Sequence, residues 1–144
     1  MRTPIFLVAI AVFTLAASEA AAQQALKQPE PSPAASVTQT VGLTEIKITY
    51  NRPAVGGRKV WGELVPYGQV WRAGANQNTV ISFSTPVKIG GKALAAGSYG
   101  LHMIPTAKEW TVIFSTVTVA WGSYGYDPKE DALRVVVTPQ PAEA

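Results

Sequence analysis

Residues 51–83 concentrate the side chains that are best suited to recognising an anionic ligand. This segment holds Arg52, Arg58 and Arg72, which are interleaved with tryptophan and tyrosine residues and with five glycines. A guanidinium group is planar and permanently charged, so it can bind a carboxylate or phosphate through two parallel hydrogen bonds. The pattern therefore predicts an anion-binding site. The alternative is that the arginines are internal braces, which stack on the segment's own tryptophans and bond its own carbonyl groups.

Trp71 belongs to the same candidate ligand-binding site, and His102 is a further candidate farther along the chain. His102 is the only histidine, so one chain cannot build a metal site from several histidines. The absence of cysteine excludes disulfide bonds and a cysteine nucleophile. We therefore predict no catalytic residue, no metal and no cofactor. By alternation His102 shares a face with Ser98 and Gly100, which is expected to be solvent-exposed or a shallow binding surface. His102 is therefore interpreted as a surface or hydrogen-bonded structural residue, with a general base as the alternative.

Motifs of known catalytic loops do not occur in this chain, which has no GxSxG, HExxH, GxGxxG or Walker sequence. Ser98 and Ser123 both lie in Gly-Ser-Tyr-Gly tetrapeptides, but the sequence marks no base beside either. Residues 127–131 are acidic, and their Asp-Pro start is typical of a tight turn rather than of a calcium loop. The aromatic residues of 121–126 are expected either to stack against sugar rings or to cap one end of the fold.

The first 22 residues are predicted to be a secretory signal peptide. A basic start precedes an uninterrupted apolar run, residues 5–17, and small residues follow up to Ala22, where we expect cleavage. The run is too short for a permanent membrane anchor. We therefore expect an exported protein, either periplasmic or secreted, with no membrane span after cleavage. Residues 23–35 are polar and rich in proline, which predicts a flexible leader.

The rest of the chain shows a hydrophobic period of two, with proline and glycine at short intervals. This pattern predicts an all-β fold, namely an antiparallel β-sandwich over residues 36–138, with a jelly-roll-like or barrel-like arrangement as the alternatives. Gly90-Gly91 predicts a two-residue hairpin turn, and residues 58–64 are the only helical candidate. Residues 139–144 are expected to form a disordered tail. The predicted core consists of Ile46, Ile48, Tyr50, Ile81, Phe83, Leu101, Trp110, Val112, Phe114, Leu133 and Val135.

The charge of the chain is modest, because 12 basic and 9 acidic residues give a net charge of +3 at pH 7. No block of like charges is present. This balance does not predict a nucleic-acid partner, and export argues against one.

Several long strings of the sequence resemble the family known as domain of unknown function 2911. They are residues 51–53, 57–59, 64–68, 70–76, 96–101, 104–105, 109–114, 121–122 and 126–127. The resemblance implies an exported bacterial β-sandwich-like domain without an established activity or ligand. It also implies that Arg52, Arg58, Trp71, Arg72 and Asn76 are the best candidates for a shared site. Members of the family usually continue beyond the strand that matches residues 133–138, so we expect this chain to lack their C-terminal strands.

Three classes of function remain open from the sequence. The first is an exported cell-envelope binding module for a small anionic or carbohydrate ligand. The second is a structural or interaction domain in which the arginines are braces. The third and least supported is a hydrolase that uses Arg72, His102 and Asp127, because one histidine and few carboxylates offer little acid–base chemistry. Residues 133–138 are apolar on both faces, so an unpaired edge there is expected to favour self-association.

Overall fold

The computed structural model describes residues 28–141, which form a nearly all-β antiparallel fold, as the alternation predicts. The strands are β1 (Ala34–Val41), β2 (Thr44–Asn51), β3 (Thr79–Phe83), β4 (Val87–Ile89), β5 (Lys92–Leu94), β6 (Gly97–Pro105), β7 (Trp110–Ser115) and β8 (Asp131–Val137). A short 3-10 helix, Pro128–Glu130, precedes β8. The predicted signal peptide lies outside the described residues. The first strand begins at Ala34, two residues before the predicted start of the domain.

Six strands form one antiparallel sheet in the order β1-β2-β3-β6-β7-β8, and β4 and β5 form a separate hairpin. Gly90 and Gly91 make the hairpin turn with φ values of 58° and 79°. Glycine adopts this left-handed conformation at little steric cost, which is why the sequence signal for a tight turn was reliable. The six-stranded sheet is open, with β1 and β8 at its two edges, and the hairpin packs on one face, an arrangement consistent with a sandwich.

The main hydrophobic core lies between this hairpin and the face of the sheet on which the hairpin packs. Its buried members are Phe83, Leu94, Tyr99, Leu101, Phe114, Leu133 and Val135. The rings of Phe83, Tyr99 and Phe114 lie with centroids 6.3 to 6.4 Å apart. Full burial of each such side chain stabilises the fold by roughly 1.5–3 kcal/mol. The hairpin contributes Leu94 to this cluster, so it forms part of the core.

Three residues predicted for the core lie outside this cluster, namely Ile48, Tyr50 and Trp110, and each is half-buried. The hairpin strands are only three residues long, so they cover part of the sheet face and leave the rest less protected. Trp110 packs instead against Trp61, with ring centroids 4.5 Å apart.

The helical candidate at residues 58–64 is wrong, because the structure has turns there. Backbone hydrogen bonds join Leu64 N to Lys59 O at 3.3 Å and Val65 N to Val60 O at 2.8 Å, which is not the spacing of an α-helix. Gly62 has a φ of 84° and so leaves the helical region.

The opposite face of the sheet is covered by residues 116–127, which we call the covering segment. Asn78 anchors it, since its backbone N–H donates to Ala120 O at 3.1 Å and its Nδ2 donates to Val117 O at 3.2 Å. Gly100 on β6 permits this close approach, because a Cβ there would lie 2.2 Å from the Val117 carbonyl oxygen. His102 and Ile113 are paired residues of β6 and β7, and both are buried. His102 contacts Ser123 of the covering segment.

Candidate functional site

A large open cavity lies between the irregular segment that joins β2 to β3 and the covering segment. Its volume is about 1010 Å³. Trp71 fixes one wall, because it exchanges two backbone hydrogen bonds with Met103 of β6, at 2.7 and 2.8 Å. This bridge extends the sheet beyond the end of β3 and holds the irregular segment in place. The segment rich in arginine and tryptophan is therefore attached to a strand and is not a free loop.

Aromatic rings form much of this cavity wall. Trp61 and Trp71 meet edge to face with centroids 5.4 Å apart, and Trp61 also packs on Trp110. Trp61 is 39% exposed, and Tyr124 of the covering segment is 87% exposed at the cavity rim. Such rings offer apolar faces that remain open to a ligand.

Arg58 lines the cavity and is held by its own turn. Its Nε donates to Val55 O at 2.9 Å, and its Nη2 donates to Ala54 O. These two bonds fix the plane of the guanidinium group. Arg58 is exposed, so this bracing leaves its remaining N–H groups within reach of solvent or of a bound molecule.

Arg72 lines the same cavity and is half-buried. Its Nε donates to Gly74 O at 3.2 Å. Its Nη1 lies beside Gly122 of the covering segment, where a Cβ would approach to 2.8 Å. Gly122 has a φ of 72°, a left-handed conformation that favours glycine at this position. The charged group of Arg72 lies against the residue that precedes Ser123.

The structure brings four of the predicted site residues to one cavity: Arg58, Trp71, Arg72 and Asn76. Asn76 has a φ of 58°, a left-handed conformation that asparagine tolerates better than most residues. Arg52 is exposed and does not line this cavity.

His102 does not line the cavity either, because it is buried on β6 with 3% of its surface exposed. Its Nδ1 lies 2.9 Å from the hydroxyl oxygen of Ser123, and Ser123 does line the cavity. The sequence showed no base beside Ser123, and the structure corrects this, because the covering segment folds back over β6. Burial lowers the pKa of His102, and the nearby carboxylate of Asp131 opposes this effect without overcoming it.

A second polar cluster lies behind His102. The ring of Tyr126 is 5.3 Å from the imidazole, and its hydroxyl donates to Asp131 Oδ2 at 2.8 Å. Arg134 donates from Nε to the same carboxylate oxygen and from Nη2 to the Tyr126 hydroxyl. Burial and the hydrogen bond to Asp131 raise the pKa of Tyr126. This cluster ties the end of the covering segment to β8.

Sequence reasoning missed Trp61 and Ser123 as site candidates and offered Tyr124 only as one of the aromatic residues that could stack against sugar rings. The aromatic signal of Trp61 and Tyr124 was visible, but their meeting depends on a fold-back between distant segments. Asp127, considered for the hydrolase alternative, is instead the N-cap of the 3-10 helix and accepts from Lys129 N at 2.9 Å.

The fold and the cavity together define an antiparallel β-domain with an open, aromatic and arginine-containing concave surface. The family described as "Protein of unknown function (DUF2911)" matches residues 32–144, so the chain belongs to that family. No curated protein and no solved structure matches it. Within residues 28–141, no helix has the length and apolar character needed to cross a membrane. In that same part of the chain, no group of three or more His, Cys, Asp or Glu side chains is placed to hold a metal ion.

Proposed function

We propose that this protein is an exported cell-envelope binding module for a small anionic or carbohydrate ligand. The observation that carries the proposal is the shared cavity of Arg58 and Arg72, which also exposes aromatic rings. Of the described residues that line it, none is acidic. A cavity with two guanidinium groups and no compensating carboxylate on its wall favours a ligand with negative charge.

The chemistry of the two arginines supports an oxygen-rich ligand. Arg58 uses Nε and Nη2 on backbone carbonyls, and the hydrogen bond of Arg72 comes from Nε alone. Each guanidinium keeps further N–H groups that can donate to a carboxylate, a phosphate or sugar hydroxyls. Asn76 adds an amide that can both donate and accept.

The aromatic wall supports a ligand with a ring or an apolar face. Trp61 and Tyr124 are both exposed at the cavity. Ligand sites are typically about 300–1,000 Å³ in volume and mostly apolar with a few placed polar groups. The cavity, at about 1010 Å³, is large enough for a monosaccharide acid or a molecule of similar size.

The bonds from Arg58 and Arg72 to carbonyl groups favour a second candidate function, a structural or interaction domain. In that case the guanidinium groups would stabilise the irregular segment and the cavity would have no specific ligand.

Binding can be tested by thermal melting and tryptophan fluorescence of the purified protein with glucuronate, inorganic phosphate or glucose as the probe. We expect glucuronate or phosphate to raise the melting temperature and glucose to act more weakly if charge dominates. Trp61 and Trp71 should report binding through a change in fluorescence.

Two matched variants separate binding from bracing. Arg72→Lys keeps the charge but loses the planar fork of donors. The apparent affinity for the ligand, obtained from the ligand-induced rise in melting temperature, should therefore fall about tenfold or more. Arg52→Lys makes the same change in the same segment at a residue outside the cavity, and it should leave binding unchanged. If Arg72→Lys instead lowers the stability of the free protein by roughly 1.5–3 kcal/mol, as expected for loss of a hydrogen bond from a charged group, the side chain is a brace. If no probe binds, the binding proposal fails.

A further inference from the structure

We propose that Ser123 is a nucleophile activated by His102, and that the cavity transfers an acyl group from an ester that carries an anionic substituent. This inference rests on the proposed function, because the ester would occupy the same cavity. It adds a chemical step to the binding site and names the substrate class.

The nucleophile and its base are placed as such a step requires. The Ser123 hydroxyl oxygen lies 2.9 Å from His102 Nδ1, which is within hydrogen-bond reach. Ser123 lines the cavity, whereas the imidazole is behind it on β6 and is 97% shielded from solvent. A substrate in the cavity therefore meets the hydroxyl and not the base. Strand β6 pairs on both sides within the sheet, so the base sits on a rigid element.

The protonation state of the imidazole suits a general base. Nδ1 can accept the hydroxyl proton of Ser123 only while that nitrogen carries no proton. Burial lowers the pKa of His102, which keeps the ring neutral around pH 7. The Asp131 carboxylate acts in the opposite direction and would stabilise the imidazolium that forms after proton transfer. Its Oδ1 is buried and, among residues 28–141, has no hydrogen-bond partner, whereas its Oδ2 accepts from Tyr126 and is paired with Arg134.

Arg72 supplies positive charge at the reacting centre. Its Nη1 packs against Gly122, the residue directly before Ser123. A guanidinium there can stabilise the negative charge that develops on a carbonyl oxygen during attack by Ser123. Arg58, on the same cavity, would hold the anionic substituent of the ester.

The proposed step balances without a redox partner. The hydroxyl oxygen of Ser123 bonds to the ester carbonyl carbon while its proton passes to His102 Nδ1. The bond between the carbonyl carbon and the alcohol oxygen then breaks, and the departing oxygen takes the proton from His102. Water repeats the sequence on the acyl-serine, which releases a carboxylic acid and restores Ser123.

The test is covalent labelling of the full chain with an alkyl fluorophosphonate at pH 8, read by intact mass and peptide mapping. The serine oxygen forms a bond to phosphorus and fluoride leaves. We expect one adduct, on Ser123, and its loss in Ser123→Ala. His102→Gln should slow labelling at least tenfold. Ser98→Ala is the matched control, because Ser98 lies in the same Gly-Ser-Tyr-Gly sequence but pairs with the Ser82 hydroxyl at 2.9 Å. Ser98 itself should carry no adduct, so Ser98→Ala should label on Ser123 as fast as the unchanged protein.

The proposal is overturned if Ser123 carries no adduct or reacts no faster than Ser98. Should His102→Gln fail to fold, the pH profile of Ser123 labelling in the unchanged protein replaces it. The rate should then rise to a plateau with a midpoint below pH 6.5, and a rate that keeps rising through pH 9 would exclude His102 as the base. The binding assay with Arg72→Lys is independent of labelling. Retained glucuronate or phosphate binding without Ser123 labelling would refute the nucleophile alone.

Discussion

Replacing Gly100 by alanine should damage the protein more than its size suggests, because the covering segment rests directly on this residue. An added Cβ would lie 2.2 Å from the Val117 carbonyl oxygen and 3.1 Å from Asn78 Nδ2. The first contact is with backbone, which cannot rotate away as a side chain can. The carbonyl would have to retreat by about 1 Å to reach ordinary van der Waals separation.

The cost can be estimated from the two effects of that displacement. Overpacking of a close contact typically costs about 1–3 kcal/mol. The displaced carbonyl is also the acceptor for Asn78 Nδ2, and loss of that buried hydrogen bond adds about 1 kcal/mol. We therefore expect Gly100→Ala to lower the free energy of unfolding by roughly 2–4 kcal/mol.

The chain provides a matched control. Gly125 is the last residue of the second Gly-Ser-Tyr-Gly tetrapeptide, as Gly100 is of the first, and a Cβ on Gly125 would meet no atom within 4 Å. Gly125→Ala should change the free energy of unfolding by less than about 0.5 kcal/mol. Urea denaturation followed by tryptophan fluorescence measures both variants. Equal stability of the two would show that the covering segment does not rest on β6 as described.

Three further outcomes follow from the structure. Burial lowers the pKa of His102, so the folded state binds a proton less readily than the unfolded state. The free energy of unfolding should therefore fall as the pH drops below about 6.5. A pH series of urea melts measures this dependence, and His102→Gln should flatten it. Strand β8 lies at a sheet edge, and its Val136 is 62% exposed. Sedimentation should therefore show self-association of the unchanged chain through residues 133–138, and Val136→Lys should reduce it. A monomer at all concentrations would contradict this prediction. Mass spectrometry of the exported protein should find an N-terminus at Gln23, and an intact N-terminus would contradict cleavage after Ala22.

Much of the β-fold could be predicted because each strand carries its own signal. One face of β3, β7 and β8 carries apolar residues at alternate positions, and Phe83, Phe114 and Leu133 on that face are buried as this pattern predicts. The Gly90-Gly91 turn was equally local. The error at Trp110 had a different origin: alternation gives the side of the sheet a residue faces, but not whether another element covers it there.

The site was only partly predictable because its residues come from distant segments. Arg58, Trp71 and Arg72 lie close together in sequence, and composition was enough to group them, although it also included Arg52, which lies outside the cavity. Asn76 was added by the family resemblance. The contact between Ser123 and His102 joins residues far apart in sequence and depends on the covering segment folding back over β6. No local pattern encodes that return. Gly100 is required by this fold-back, because a Cβ there would lie 2.2 Å from the Val117 carbonyl oxygen. The sequence shows the glycine but not the contact that requires it.

The bracing of Arg58 and Arg72 does not exclude a role for them in binding, because a braced guanidinium is also a pre-organised one. A free arginine side chain loses rotamer freedom when it binds a ligand, at a cost of about 0.5–1.5 kcal/mol. Arg58 has already lost that freedom to the carbonyl groups of Ala54 and Val55. If bracing were the only purpose, however, the guanidinium groups would not need to face an open cavity whose described lining is free of acidic residues. The exposed rings of Trp61 and Tyr124, which line the same cavity, are not needed to brace the arginines either. Binding is therefore the function that the geometry supports best.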